Sequence, residues 1–340
     1  MPIERDPKLQ RRIALTVVLI VTLPFVFVYT FVFAANTIGI ALLEWATERP
    51  FHGEVHVDPI VLGVVIAVGI GLQLRYGSRG VLSSIGARRV SVDEYPELHA
   101  RVVRLAWQAD LPPPAVAVAH NDAPNAFAVG GVGTKPTVVV TTGLLDSLES
   151  AELDAVLAHE VAHVANRDVS VMTVAWLLPT ITYYLAIAAA YVLYGLYRIL
   201  GASSGGGSRD GRAIVVAVVV ITVTALVTLA ISAMFWFGSV LVHRVLSRYR
   251  EFAADRAAAA MTGDPLSLAT ALETIDDEMR SIPDRDLRRL DGGVEALYIA
   301  PLEARSFDEA ELVSTDIFPE THPPTRDRIE QLREIAGEQR

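Results

Sequence analysis

Four long apolar runs alternate with polar stretches along the chain, at residues 13–43, 60–74, 169–200 and 213–242. A helix that crosses a bilayer needs about 20 apolar residues. The first, third and fourth runs are longer than that, so we expect each to tilt, kink or protrude from the bilayer. The second run is shorter, and a helix buried in a protein core is the alternative there; its extension from Pro59 to Tyr76 favours a span. The pattern predicts four membrane helices.

Positive charge around these runs predicts their orientation, because cytoplasmic loops carry an excess of Lys and Arg. Basic residues precede the first run and follow the second and the fourth, whereas the loop at residues 44–58 is mostly acidic. We therefore expect the N-terminus and the polar blocks at residues 77–168 and 243–340 to be cytoplasmic. The Gly-Ser-rich segment at residues 201–212 then lies on the far side, although its two arginines run against this orientation.

The composition fits a membrane protein and excludes several other classes. Hydrophobic residues make up 52% of the chain, and the mean hydropathy of +0.39 is high for a soluble protein. The net charge is -10 without a cluster of Lys and Arg, which argues against nucleic-acid binding. Cysteine is absent, so a metal would have to be held by nitrogen and oxygen ligands. The lipid bilayer is thus an expected partner, and nucleic acid is not.

The first polar block has the pattern of a small α+β domain. Apolar residues recur at helical spacing over residues 93–109, and three short β-like runs follow, at residues 115–119, 126–129 and 137–142. Turn residues separate these runs, which predicts a small β-sheet. Ser150 is the expected N-cap of a further helix that continues through Asn166.

On that helix lies the sequence His159-Glu160-Val161-Ala162-His163. Histidines at positions i and i+4 of a helix point the same way, so their imidazoles can share one zinc ion. The glutamate beside the first histidine can hold the attacking water. This spacing predicts a catalytic zinc site, and two surface histidines without a metal are the alternative.

A catalytic zinc site needs a third protein ligand. The runs between residues 169 and 242 are expected to form an antiparallel hairpin, which returns the chain to the face of the membrane that it left. Glu251 and Asp255 follow, one turn apart in an alanine-rich helical stretch. We predict Glu251 as the third ligand and Asp255 as a carboxylate that orients a ligand histidine. An ordinary solvated helix face is the alternative for this pair.

The motifs resemble those of the HtpX-type membrane zinc metallopeptidases, relatives of the CAAX prenyl proteases. The resemblance spans about residues 125–330 and rests on four motifs in the same order: Asn125-Ala126-Phe127-Ala128, the histidine motif with its trailing Asn166-Arg167-Asp168, Ser247-Arg248-x-x-Glu251-Phe252-x-x-Asp255, and His322-Pro323-Pro324 followed by Arg328. It implies a gluzincin that hydrolyses peptide bonds of membrane or misfolded proteins in protein quality control.

The resemblance also implies a role for individual residues. His159, His163 and Glu251 would bind one Zn²⁺, and Glu160 would be the general base. The substrate would pair with an edge strand at Asn125, Ala126, Phe127 and Ala128. His322 and Arg328 would lie at the cleft, where His322 could stabilise the oxyanion. Asp168 joins Asp255 as an expected outer partner of the ligands.

The predicted fold class is α+β: a multi-span α-helical membrane anchor with a cytoplasmic, zincin-like, helix-rich catalytic domain that carries a small β-sheet. We expect an N-terminal anchor of two spans at residues 1–76 and a transmembrane hairpin at residues 169–242. The catalytic domain is expected in two parts, at residues 77–168 and 243–340. The protein is then a multi-pass protein of the plasma membrane with peptide or protein substrates.

Three other functions are compatible with parts of this pattern. In an intramembrane protease the histidine motif should lie inside an apolar span, but here charged residues flank it. A binding or chaperone-like module with structural zinc would not require Glu160. A CAAX-type processing protease is disfavoured, because four spans are few for the many-span chamber that the resemblance implies for that type.

Overall fold

The computed structural model of the protein describes residues 7–130, 135–167, 211–281 and 323–338. The predicted span at residues 169–200 lies outside these residues, as do Asp168 and His322. Contacts divide the chain into two compact units. One contains residues 1–16, 71–174 and 242–340, and the other contains residues 17–70 and 175–241.

Long apolar helices dominate the second unit. The chain begins with α1 (Pro7–Ala34), a π-helical turn (Ala35–Gly39) and α2 (Ile40–Thr47), and continues with α3 (Pro59–Ser84). Within the described residues, three segments are long and apolar enough to cross a membrane: Gln10–Leu42, Pro59–Tyr76 and Val218–Gly238. They correspond to the first, second and fourth predicted runs.

An aromatic cluster holds the apolar helices of this unit together. The ring of Phe27 on α1 meets Phe31 edge-on at 4.9 Å between centroids and meets Phe235 at 5.0 Å. Phe235 and its buried neighbour Ile231 belong to a long helix, α7 (Gly211–Thr262). Edge-to-face contacts of this kind add to the burial of apolar surface.

Hydrogen bonds hold the segment that precedes α3 against α1 and the π-helical turn. The apolar pattern did not predict these contacts. The side chain of Asn36, in the π-helical turn, donates to the Val55 carbonyl at 2.9 Å and accepts from the Val55 N–H at 2.8 Å. The Tyr29 hydroxyl donates to the Val57 carbonyl at 3.0 Å. An irregular segment beside apolar helices needs such partners for its main-chain polar groups. Asp58 then caps α3, where its carboxylate accepts from the Ile60 N–H at 2.7 Å.

A small mixed sheet forms the centre of the first unit, and the prediction of such a sheet is confirmed. Its strands are β1 (Arg88–Arg89), β2 (Ala115–Ala119), β3 (Ala126–Val129) and β4 (Thr137–Thr141). They lie in the order β1-β2-β4-β3, with β2 and β4 parallel and the outer pairs antiparallel. Only β1 was not predicted, because two exposed arginines carry no strand pattern.

Helices pack around the sheet and enclose one apolar core. They are α4 (Pro96–Gln108), α5 (Thr142–Ser147), α6 (Ser150–Asn166), α8 (Pro265–Ser281) and α9 (Thr325–Glu338). The predicted apolar face of α4 is buried at Leu98, Val102 and Leu105. Helix α6 contacts α4, α8, β3 and β4 and is therefore at the centre of the core. This position fixes the residues on α6 more firmly than an exposed helix could.

The N-cap of α6 differs from the prediction by one residue. Glu149, not Ser150, is the cap. The Glu149 side chain accepts from the backbone of Glu152, and the Glu152 carboxylate accepts from the Glu149 N–H at 2.9 Å. This reciprocal capping box satisfies two N–H groups that a helix start would otherwise leave without partners.

Candidate metal centre

Helix α6 carries His159, Glu160 and His163 on its buried stretch. Their exposed fractions are 0%, 2% and 5%. The two histidines lie one turn apart, and their Nε2 atoms are 3.0 Å from each other, with the rings at 88°. Two imidazole nitrogens therefore point at the same spot, as the spacing of the motif predicts.

The carboxylate of Glu251, on α7, completes this cluster. Its Oε2 lies 3.4 Å from His159 Nε2, and its Oε1 lies 3.5 Å from His163 Nε2. One donor atom from each of the three residues falls within 4.8 Å of the others, and all three residues are buried. Glu251 is thus the carboxylate that the fold brings to the histidine pair.

Asp255 lies one helical turn after Glu251 and orients His159. Its Oδ1 is 2.8 Å from His159 Nδ1, and both side chains are fully buried. An Nδ1–H that donates to a carboxylate leaves Nε2 as the acceptor nitrogen, which is the tautomer that a metal requires. The role of Asp255 behind a ligand histidine stays a prediction, which this contact supports.

Arg328, on α9, lies beside the metal cluster. Its Nε and Nη2 donate to the two oxygens of Asp255 at 2.8 and 2.7 Å. Nη1 lies 3.6 Å from Glu251 Oε2, and the side chain is fully buried. The substrate-binding role of Arg328 stays a prediction; its guanidinium forms a two-pronged pair with the buried Asp255 carboxylate.

A second buried arginine, Arg250, also contacts the cluster. Its Nε and Nη2 donate to Glu251 Oε1 at 3.1 and 2.8 Å. Only 3% of the residue is exposed. Arg250 could not be singled out among the neighbouring basic residues of the sequence, because charge alone does not distinguish a buried arginine from a membrane-flanking one.

Burial and close charges shift the pKa values of the site. Burial lowers the pKa of His159, but its hydrogen bonds to Asp255 and Glu251 outweigh burial and raise the pKa to about 9. Burial raises the pKa of the Glu160 carboxyl. Burial also acts to raise the pKa of Asp255, but Arg328 beside it holds that pKa below its ordinary value. A metal ligand must be deprotonated, so His159 would have to bind a metal as the neutral imidazole.

The donor set fits a zinc ion. Two imidazole nitrogens and one carboxylate oxygen are the protein ligands of a known class of catalytic zinc sites, which leave a fourth position for water. The convergence of these donors within 4.8 Å and the Asp255 contact behind His159 are both features of such centres. The residues present can therefore hold the metal that the motif predicts.

Comparison with known proteins assigns the family. The model of peptidase family M48 matches residues 93–336, which is well over half of the chain. The chain belongs to peptidase family M48. All of the side chains of the metal cluster, and Arg328, lie inside the matched region. Membership and relatives named protease HtpX homolog together confirm the resemblance to the HtpX-type proteases and the prediction of a membrane metallopeptidase.

Several relatives carry the name protease HtpX homolog. Protease HtpX homolog 2 of Methanosarcina acetivorans is 40% identical over 281 residues, which cover 82% of this chain and 86% of the relative. The homolog of Moorella thermoacetica is 42% identical over 276 residues, or 81% of this chain and 84% of the relative. The crystal structure of S. mikatae Ste24p matches with a TM-score of 0.45 at 17% identity, and covers 92% of this chain and 67% of that one.

The predicted substrate strand of this M48 chain lies beside the metal helix. β3 is at one edge of the described sheet and contacts α6. Asn125, just before β3, is 2% exposed, and its backbone N–H donates to the Thr141 hydroxyl at 2.8 Å. A Cβ at Gly143 would overlap the backbone of Asp122, so the loop before Asn125 packs directly on α5. Thr141, which sequence reasoning missed, thus holds the end of this loop at Ala123 and Asn125.

Proposed function

We propose that this M48 protein is a zinc-dependent endopeptidase that hydrolyses peptide bonds of membrane or misfolded proteins at the cytoplasmic face of the plasma membrane. The proposal rests on His159, His163 and Glu251, which are buried and place one possible ligand atom each within 4.8 Å of the others. The Asp255 contact to His159 supports a ligand role for that histidine, because outer partners of this kind are typical of metal sites.

The chain's own residues supply the remaining chemistry. A zinc ion bound by these ligands provides a Lewis acid that activates water and polarises a carbonyl. We assign Glu160 as the general base that takes the proton of the attacking water and gives it to the leaving amine. Burial raises the pKa of the Glu160 carboxyl. A raised pKa suits a group that must accept a proton from water and then donate it to the amine.

We assign residues 125–128 to substrate binding. A protease must hold its substrate extended, and an added strand at a sheet edge does so through main-chain hydrogen bonds. The edge position of β3 next to α6 supports this assignment. The roles of His322 in oxyanion stabilisation and of Asp168 behind the ligands stay predictions from the family motifs, since both lie outside the described residues.

The orientation in the membrane rests on the positive charge of the flanks. The division into a two-span anchor (residues 1–76), a hairpin (169–242) and a catalytic domain in two parts (77–168 and 243–340) rests on the apolar runs and stays a prediction. The absence of native cysteine makes labelling of single introduced cysteines unambiguous. In intact cells we expect His52→Cys to react with a membrane-impermeant maleimide. Asp93→Cys should react only after the cells are permeabilised; the reverse pattern would reject the orientation.

Metal removal tests the activity directly. We expect the detergent-purified protein to hold about one zinc per chain and to cleave casein. A chelator should abolish cleavage and added Zn²⁺ should restore it, as measured by peptide release and by metal analysis. A protein that binds zinc but never cleaves casein would instead be a binding or chaperone-like module, and cleavage that survives complete metal removal would reject the mechanism.

A further inference from the structure

Arg250 makes an unusual contact for a helical residue, because its partner is its immediate neighbour in the chain. Side chains at positions i and i+1 of a helix do not face each other, and helical ion pairs normally form between residues three or four apart. Yet Nε and Nη2 of Arg250 both reach Glu251 Oε1, at 3.1 and 2.8 Å. Two nitrogens of the guanidinium are therefore directed at the carboxylate of the next residue.

This contact divides the two oxygens of Glu251 between different neighbours. Oε1 accepts both hydrogen bonds from Arg250 and lies 3.5 Å from His163 Nε2, whereas Oε2 faces His159 Nε2 at 3.4 Å and Arg328 Nη1 at 3.6 Å. Charge-assisted hydrogen bonds to one oxygen fix the rotation of the carboxylate group. The rotation that Arg250 selects presents Oε2 to the first histidine of the motif and Oε1 to the second.

Arg250 is also the closer of the two guanidiniums to Glu251. The shortest contacts of Arg328, at 2.7 and 2.8 Å, are to Asp255, and its approach to Glu251 is longer, at 3.6 Å. A buried carboxylate is costly unless it is paired and hydrogen-bonded. The shortest contacts of Arg328 are therefore to Asp255 and those of Arg250 are to Glu251.

We propose that Arg250 is a positioning residue of the metal centre, which fixes the Glu251 carboxylate in its ligand orientation before the metal binds. The inference rests on the proposed function. A guanidinium near the site also repels a cation, which would weaken binding. Positioning outweighs repulsion, because the charge of Arg250 is already offset by the carboxylate at 2.8 Å. Loss of Arg250 should therefore weaken zinc binding, by the roughly 10 to 100-fold typical of an outer partner of a ligand.

The test is the zinc affinity of the full-length, detergent-purified protein, measured by competition with a chromophoric chelator. We expect Arg250→Gln to bind zinc about 10 to 100-fold more weakly than the wild type. Arg250→Lys should be intermediate, because an ammonium is a single point charge and lacks the two-pronged fork of a guanidinium. The matched control is Arg248→Gln, which removes an exposed arginine two positions away and should leave the affinity unchanged.

Zinc affinity in Arg250→Gln that equals or exceeds that of the wild type would overturn the proposal, and so would an equal loss in the Arg248 control. If Arg250→Gln does not fold, Arg250→Lys decides: unchanged affinity there, together with an unchanged visible spectrum of the Co²⁺-loaded protein, rejects positioning. A merely structural role would lower the melting temperature without moving that spectrum. Failure of the wild type to bind zinc would reject the proposed function itself, which the Arg250 variants alone cannot do.

Discussion

Replacing Glu160 with glutamine is expected to leave zinc bound and to remove nearly all peptide hydrolysis. Glutamine keeps the shape of the side chain on the buried face of α6 but cannot accept a proton, and general acid-base catalysis typically contributes about 10² to 10⁴-fold to a rate. The ligand atoms of His159, His163 and Glu251 are untouched by the change. Casein cleavage and zinc content, measured on the same preparation, should therefore separate: the first lost, the second retained.

A matched control for this variant is Glu97→Gln, which removes an exposed carboxylate from the first turn of α4. It makes the same chemical change away from the metal cluster and should cleave casein at the wild-type rate. Turnover in Glu160→Gln close to that of the wild type would remove Glu160 from the mechanism, whatever the zinc content. Loss of zinc together with turnover would instead give Glu160 a structural role.

The features of the site that follow from local sequence could be predicted. The positions of His159 and His163 on one helix face depend only on helical spacing, and the apolar residues of α6 specify that helix. Glu251 was reached by a different route, from the expected return of the chain through the membrane. The strands β2, β3 and β4 were also located within a residue, since each is a short apolar run between turn residues.

The features that depend on tertiary contacts could not be predicted. Arg250 and Arg328 are 3% and 0% exposed, although arginine is among the residues least often buried. Their burial is decided by carboxylates that are 1 and 73 positions away in the chain. A pairing of this kind leaves no periodic trace in the sequence, so a cleft role for Arg328 was as natural a hypothesis as a buried one.

The irregular parts of the membrane helices could not be predicted from the apolar pattern either. Asn36 within the first apolar run gave no indication that a π-helical turn begins one residue before it, at Ala35. Its two hydrogen bonds to Val55 join residues 19 positions apart across a polar loop. Hydropathy predicts which residues are apolar enough to cross a bilayer, but it does not predict where an adjoining loop will lie.

Removing Glu251 should have the largest effect on the metal itself. In Glu251→Ala only two imidazoles remain of three protein ligands, and Arg250 loses the carboxylate that it contacts at 2.8 Å. The site then presents two nitrogens and one negative charge fewer to a cation, and both changes oppose binding. We therefore expect no zinc to remain after purification, with casein cleavage lost in parallel.

Asp255→Ala is the graded counterpart, because Asp255 contacts His159 Nδ1 at 2.8 Å and is not among the three converging donors. Zinc affinity should fall by about 10 to 100-fold without being abolished, whereas Asp168→Ala and His322→Ala should keep the metal. Melting temperatures measured without zinc identify any variant that is unfolded. Glu251→Gln provides a second variant at position 251, because it keeps the volume of the side chain. Full zinc occupancy in folded Glu251→Ala, or its loss only in the His322 variant, would mean that a different residue completes the site.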